Sequence, residues 1–368
     1  GGGIAGSSLF RYMAEAGMNP VLVNADRGSS WRNIGGGRTA FSLPELAEIA
    51  AQNHHIFKEL QYLSNIDYKP IRYISFAHDE ETYKALEASK AWSKAEMIAP
   101  KQFREEISPY FNANPKKYIS ALVSEDCWQA TPGKVVDLVR NLGIAAGGTV
   151  MEDCRVLEAC REGKYTSVLV QTHDKKYVEY RTEHFVNALG SGAGKLCDSM
   201  GIDAGLYPVR HQAFITRRLP MLGKHGTNLD MLIDRQDYKG FSAVYGQQIA
   251  YTGQIIGCAS PKLDAMRIDK NLKVNTKAFL EIVSEMFSEW IPDLAGVGIQ
   301  AVWAGYYTEP RYIVDPELGL FVGMRGHGFM LSQYIARMYV DKLLGRPVPE
   351  YFEKLKLNGP GLSEKAFK

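Results

Sequence analysis

The chain begins Gly1-Gly2-Gly3-Ile4-Ala5-Gly6, a G-x-G-x-x-G that runs without a break into Ala5, Leu9, Met13 and Ala16. Steps of four, four and three put those side chains on one face of a helix. Glycines at this spacing allow a tight turn, let backbone N–H groups approach a pyrophosphate, and let a helix pack closely on its strand. The hexapeptide therefore predicts a dinucleotide cofactor, with Gly1, Gly3, Ile4, Ala5 and Gly6 at its phosphates. A glycine-rich tag scar would not be followed by such a helix. The motif also implies a strand directly before Gly1, outside the sequence given.

The second strand reads Pro20-Val21-Leu22-Val23 and ends at Asn24, where a dinucleotide fold usually offers an acid to the ribose hydroxyls. Asn24 can bond a hydroxyl as a neutral acceptor, or Asp26 can substitute across Ala25. Gly28 to Arg38 follows as a second glycine-rich stretch. Such a loop can lay N–H groups and hydroxyls along a phosphate and bring a flat ring against the main chain. Ser30, Arg32, Asn33, Gly36, Gly37 and Arg38 are its candidate cofactor contacts; a surface linker is the alternative.

A length of 368 residues with 45% apolar side chains suits two ordinary domains or one composite, with ample core. A net charge of +2 without a long basic run excludes an electrostatic footprint for nucleic acid. Five scattered cysteines suggest neither a disulfide framework nor a metal site, and fit a reducing cytoplasm. No apolar run approaches bilayer length and no secretory signal is visible.

A long helix is expected from Leu43 to Leu63, its core stripe being Leu43, Leu46, Ala50, Phe57 and Leu60, with His54 and His55 on its surface. Residues 70–125 read as mixed α+β. A helix carrying Val135, Val136, Val139 and Leu142 then ends near Gly147-Gly148, and a strand returns over 149–151. A hairpin occupies 168–180, and Phe185 to Leu189 reads as a buried strand emptying into a small-residue turn, with Ala188 and Gly190 at the cofactor.

The opening glycines, the Gly28 to Arg38 loop, Val186 to Ala193, Pro208-Val209-Arg210-His211-Gln212, Trp303-Ala304-Gly305 and Gly323-Met324-Arg325-Gly326-His327-Gly328-Phe329 stand in a telling order. That order resembles the D-amino-acid oxidase superfamily of flavoproteins. Tyr312-Ile313-Val314-Asp315 and Gly326 to Phe329 make it most similar to the branch of glycine oxidase, sarcosine oxidase and dye-linked proline dehydrogenase. The resemblance implies FAD and an α/β fold with a discontinuous Rossmann-like FAD-binding domain at 1–69, 131–205 and 301–368. An α+β substrate domain with a mainly antiparallel sheet would take 70–130 and 206–300. The implied reaction takes hydride from the carbon next to the nitrogen of an amino acid or secondary amine, leaving an imine, with O2 or an electron carrier as final acceptor.

Gly326, His327 and Gly328 precede a helix with the stripe Leu331, Ile335, Met338, Tyr339 and Leu343, so a helix N-terminus would face the negative charge of a reduced flavin. Phe329 and Met330 lie in its first turn, and His327 would add a proton-donor contact or simply pack. A substrate carboxylate needs an arginine clamp. The glycine-oxidase type carries arginine where this chain has Tyr307, leaving Arg311, Arg325 and Arg38 as candidates. The acid expected beside Arg311 is missing, and Tyr245 and Tyr251 are candidate pocket rings. No cysteine lies near Tyr307, so FAD is expected to be non-covalent, with Cys258 in the core. Three alternatives remain: a nicotinamide dehydrogenase, a flavin enzyme oxidising a 2-hydroxy acid or polyol, and an FAD-holding subunit of a larger complex or homo-oligomer. The last would use exposed aromatics such as Trp92, Tyr110 and Trp290.

Overall fold

The computed structural model describes residues 1–364 except 113, 115, 236–239, 262–271 and 273–275. The first region runs α1 (Ile4–Glu15), β1 (Val21–Val23), β2 (Gly36–Gly37), α2 (Pro44–Leu63), β3 (Lys69–Ala77), α3 (Glu80–Ala88), β4 (Ala95–Ile98), α4 (Phe103–Glu106) and β5 (Ser120–Gln129). The middle holds α5 (Pro132–Ala145), β6 (Thr149–Met151), β7 (Arg155–Glu162), β8 (Tyr165–Gln171), β9 (Tyr177–Thr182) and α6 (Ala193–Ser199). The remainder is β10 (Tyr207–Arg218), β11 (Met231–Asp234), β12 (Phe241–Gln248), β13 (Gln254–Pro261), α7 (Thr276–Trp290), β14 (Ile299–Glu309), β15 (Ile313–Asp315), β16 (Leu320–Val322) and α8 (Gly328–Leu343). Proline at the first helical position starts both α2 and α5, where its missing N–H is harmless.

One large sheet has the order β14-β10-β13-β12-β11-β3-β5-β2, with β4 also on β5. It is antiparallel except for β11 against β3. Strand alternation gives it two distinct faces. Ile74, Leu232, Val244 and Phe214 point into a core shared with Phe279, Val283 and Phe287 of α7. Tyr73, Met231, Ile233 and Tyr245 occupy the other face. The sheet gathers residues on both sides of the expected boundaries at 69 and 300, since it includes β2 and all of β14.

The Rossmann-like part packs α1 between α5 and α8, with α2 on α8, around a core containing Leu9, Phe57, Val136, Leu331 and Ile335. Here β1 runs parallel to β6, bringing the end of the second strand beside the returning one. A cavity of about 570 Å³ lies between β1 and residues 185–189. Strands β7, β8 and β9 form an antiparallel sheet, one strand more than the expected hairpin.

Three expectations are corrected. The strand expected over 185–189 shrinks to a single bridge, Asn187 to Leu320. Asn187 turns the chain with its own side chain, accepting from Leu189 N–H at 3.2 Å and donating to Ala193 O at 3.0 Å, which competes with ladder pairing. His54 is buried rather than on the helix surface: it stacks on Trp128 with ring centroids 4.6 Å apart and bonds Tyr68 Oη at 2.7 Å. Trp290 is likewise buried, donating to Asp234 Oδ2 at 3.2 Å, whereas Trp92 and Tyr110 are exposed. All five cysteines are free thiols. Among the described residues no helix is long and apolar enough to cross a membrane, and no group of His, Cys, Asp or Glu could hold a metal ion.

Candidate active site

The N-terminus of α1 has Gly3 at its cap, no capping side chain and no acid in its first turn. That end of the helix dipole suits an anion. A Cβ on Gly6 would sit 1.9 Å from Gly1 O, and one on Gly1 would sit 2.5 Å from Ala188 O, so the turn closes only with glycine at both places. Ser30 Oγ accepts from Ile4 N–H at 2.8 Å, tying the second glycine-rich loop to this turn. Asn24 is buried against Gly2 and donates to Glu152 Oε2 at 2.7 Å; Ala25 follows it, half-buried. Glu152, directly after β6, is also paired with Arg140. Asp26 points into solvent, 4.0 Å from Arg155, whereas the Glu152 carboxylate lies beside Asn24 at the end of β1.

A second cavity, of about 380 Å³, lies between the large sheet and two loops. Its roof is His211 of β10, Tyr245 of β12, Cys258 of β13 and Tyr307 of β14. Tyr307 lies nearly flat on His211, centroids 3.6 Å apart at 23°, and its hydroxyl is 2.9 Å from that of Tyr245. Burial raises both phenols, pushes the Cys258 thiol up to about 12 and pushes His211 down to about 3. The roof is therefore uncharged at neutral pH. His211 Nδ1 is buried with no hydrogen-bond partner among the described residues.

The floor carries charge. Arg32, Asn33, Gly36 and Arg38 reach it from one loop; Arg325, Gly326, His327, Phe329 and Met330 reach it from the other. Arg325 sits in the left-handed region at φ 50°, and its Nε donates to Glu309 Oε2 at 2.8 Å. Its Nη1 is buried without a hydrogen-bond partner among the described residues. Arg38 is buried over the Phe41 ring, and its Nη2 lies 3.3 Å from His327 Nε2. A guanidinium can only donate, so Nε2 accepts and the ring hydrogen sits on Nδ1, 2.5 Å from Tyr312 Oη. Arg235, just past β11, also lines the cavity, and burial, then nearby Arg38, push it down to about 9. At the start of α8, His327 occupies the cap position without a capping side-chain bond and no acid lies in the first turn, with Gly328 as first residue. A Cβ on Gly326 would meet the Tyr307 ring at 2.4 Å.

The model of the FAD dependent oxidoreductase family, DAO, matches residues 1–342. The chain belongs to this family. It is thus an FAD-dependent oxidoreductase. Comparison with curated protein sequences finds no match. Among solved structures, L-proline dehydrogenase from P. horikoshii is similar at 22% identity and TM-score 0.78, covering 97% of this chain and 95% of that one. Glycine oxidase from Geobacillus kaustophilus is similar at 17% identity and TM-score 0.79, covering 97% and 96%. FAD-bound, dithionite-reduced L-α-glycerophosphate oxidase from Mycoplasma pneumoniae is similar at 15% identity and TM-score 0.71, covering 94% and 93%.

Within this DAO-family fold, the expected residues divide. Arg32, Asn33, Gly36, Arg38, Tyr307, Arg325, Gly326, His327, Phe329 and Met330 meet at one cavity. Gly37 lies beneath it, where a Cβ would be 2.2 Å from the Trp128 ring; at Gly36 it would be 2.2 Å from Tyr73 Oη. Those glycines therefore admit the protein's own rings. Gly190 opens a 3-10 turn at φ 56° and is exposed. Arg311 is not brought to the cavity: its guanidinium is spent on the carbonyls of Leu357 and Gly359. Tyr251 is 60% exposed in the turn between β12 and β13, because the hairpin reverses there, beyond the sheet face that carries Tyr245. Both ring nitrogens of His327 are engaged, Nδ1 with Tyr312 Oη and Nε2 with Arg38 Nη2. The acid missing beside Arg311 is present two places earlier as Glu309. Glu152, Glu309 and Arg235 escaped the sequence reading, and His211 entered it only within the 208–212 segment; Glu152 had a signal, since it continues a strand that returns beside β1.

Proposed function

We propose that the chain oxidises a small amino acid or secondary amine bearing a carboxylate, taking hydride from the carbon next to nitrogen. The observation that carries this reading is Arg325 Nη1, buried without a hydrogen-bond partner among the described residues, at the lining of a cavity whose roof is neutral rings. A carboxylate satisfies such a donor, and Arg235 adds a second positive charge. The neutral His211 ring, with its Nδ1 unpartnered, suits contact with the amine end, and Tyr307 and Tyr245 give hydroxyls to orient it.

The residues fit FAD. The uncapped N-terminus of α1 with Gly1, Gly3, Ile4, Ala5 and Gly6 would hold its phosphates, and Asn24 with Glu152 its ribose. The acid-free start of α8, with Gly326, Gly328, Phe329 and Met330, would favour the electron-rich state of the ring system. FAD, when bound, supplies the two-electron acceptor for the hydride. As the C–H bond breaks, the nitrogen lone pair forms C=N, and the proton on nitrogen leaves to solvent. The roof excludes water from the reacting carbon through the packed Tyr307 and His211 rings. No cysteine of β14 lines the cavity, and Cys258, which does, is buried in its roof, so we expect FAD to be held without a covalent bond.

The test is the visible spectrum of the FAD-loaded protein under anaerobic addition of glycine, sarcosine, L-proline, D-proline and a 2-hydroxy-acid and glycerophosphate panel. Bleaching by an amine supports the proposal. Bleaching only by a hydroxy compound would replace it with oxidation of C–OH, and admission of air then tells O2 from a carrier as acceptor.

A further inference from the structure

The loop between β1 and β2 touches both the glycine turn and the cavity roof, through two adjacent hydroxyls. Ser30 Oγ accepts from Ile4 N–H at 2.8 Å, at the first residue of α1. Ser29 reaches β14 instead: its hydroxyl donates to Tyr306 O at 2.7 Å and accepts from Tyr306 N–H at 3.3 Å. β14 is the outermost strand on its side of the large sheet. An edge strand presents N–H and C=O groups that a neighbouring strand would otherwise take. At residue 306 one serine hydroxyl meets both, in the place of a strand partner.

The loop around the two serines is held on several sides. Ser29–Trp31 form a 3-10 turn, and Arg32 O accepts from Trp303 Nε1 at 2.8 Å. A Cβ on Gly305 would lie 3.4 Å from Arg32 Cβ, so the turn follows β14 over residues 303–306. The Asn33 side chain donates to Ser30 O at 2.5 Å and accepts from Gly35 N–H at 2.7 Å, while Gln247 of β12 donates to Ile34 O at 2.8 Å. One peptide unit separates the residue bonded to α1 from the residue bonded to β14, so a shift at one is felt at the other. Next after Tyr306 comes Tyr307, whose ring lies on His211 and whose hydroxyl meets that of Tyr245.

We propose that Ser29 is a positioning residue that couples the two halves of the site. Occupation of the glycine turn is carried through Ser30 and Ser29 to β14 and fixes Tyr307 in the roof. Cofactor binding thereby prepares the cavity for substrate, and by linkage a ligand under the roof tightens the hold on the cofactor. This coupling rests on the proposed place of the FAD phosphates at α1 and not on the choice of an amine.

The probe is ADP, which carries the diphosphate and ribose but no flavin ring to reach the cavity, so any effect on β14 travels through protein. Amide hydrogen exchange of the apoprotein is followed with and without excess ADP at residues 5 and 6 and at Tyr307, whose pairing with Val209 no substitution touches. In the wild type ADP should slow exchange at both places, at Tyr307 roughly fivefold, the low end of ordinary coupling between sites. Ser29→Ala should keep the slowing at residues 5 and 6 and lose it at Tyr307. A merely structural serine would speed exchange at Tyr307 with and without ADP alike and leave their ratio as in the wild type, which overturns the proposal. Slowing at residues 5 and 6 without any at Tyr307 in the wild type overturns the coupling alone; no slowing at either place overturns the phosphate placement and the coupling with it. Should S29A fail to fold, Ser30→Ala cuts the same link at its other end and is held to the same outcome. If no amine bleaches the flavin while the ADP effect at Tyr307 depends on Ser29, the amine reading falls and the coupling stands.

Discussion

The roof of the cavity comes from four neighbouring strands of the large sheet, β14, β10, β13 and β12, whereas its floor comes from two loops that lead into α2 and α8. In the roof, backbone hydrogen bonds are already satisfied by the ladder, so alternate side chains are free to present rings. His211, Tyr245 and Tyr307 stay neutral by burial, and no counter-charge is needed. The floor must hold Arg38 and Arg325 away from water, and both come with internal contacts: Arg325 with Glu309, Arg38 with His327. Changes in the roof should thus be local and mild, while changes in the floor should propagate.

The sharpest test of that contrast is Arg38→Met. It removes the donor to Ala40 O and to His327 Nε2 and the cation over the Phe41 ring, a loss of about 2 to 4 kcal/mol. The expected readouts are a large fall in Tm and FAD lost during purification; a melt within a degree of wild type would erase the distinction between floor and roof. Next comes Glu309→Gln, which leaves the Arg325 guanidinium buried beside a neutral amide. A loss of about 2 kcal/mol by denaturant titration is expected.

Acid should act through the buried neutral histidines. His211 is pushed down to about 3 and His54 to about 4, both mainly by burial. Below their ordinary value near 6.5 the unfolded chain takes up protons that the folded chain refuses. Their contribution is therefore complete above that pH and declines as pH falls toward 4, by at most about 1.4 kcal/mol per pH unit for each ring. A Tm that is flat between pH 7 and 5 would mean that both rings charge in place.

Within the roof, Tyr307→Phe and Tyr245→Phe should each remove the same hydroxyl pair and about 1 kcal/mol of stability. The double variant should lose less than the sum, a coupling that a double-mutant cycle measures. The smallest effect is expected at Tyr251→Ala, within about 0.5 kcal/mol and without change in turnover, because that side chain is exposed in a turn.

How far each part could be read in advance follows the range of the interactions that make it. Gly1 to Gly6, the α1 stripe and the glycine-flanked His327 were legible because a helix start is written in adjacent residues. The 185–189 strand was misjudged because apolar content alone does not reveal that the Asn187 side chain competes with the ladder. Tyr251 and Tyr245 looked equivalent as sheet tyrosines, and only the place of the hairpin turn separates them. Arg311 and Arg325 were equal candidates until the 357–359 carbonyls claimed the first.

By itself, then, the sequence determined the glycine turn at the start of α1, the order of helices and strands around it, and the loops from which Arg38 and Arg325 depart, all set by neighbours within a turn or two of chain. Only the tertiary structure decided which charges meet. Arg38 and His327 stand 289 residues apart, and Ser42 and Glu364 stand 322 apart. Such contacts depend on packing of whole elements, since a buried charge is held by whatever the fold brings within a few ångströms, and local sequence carries no record of that distance.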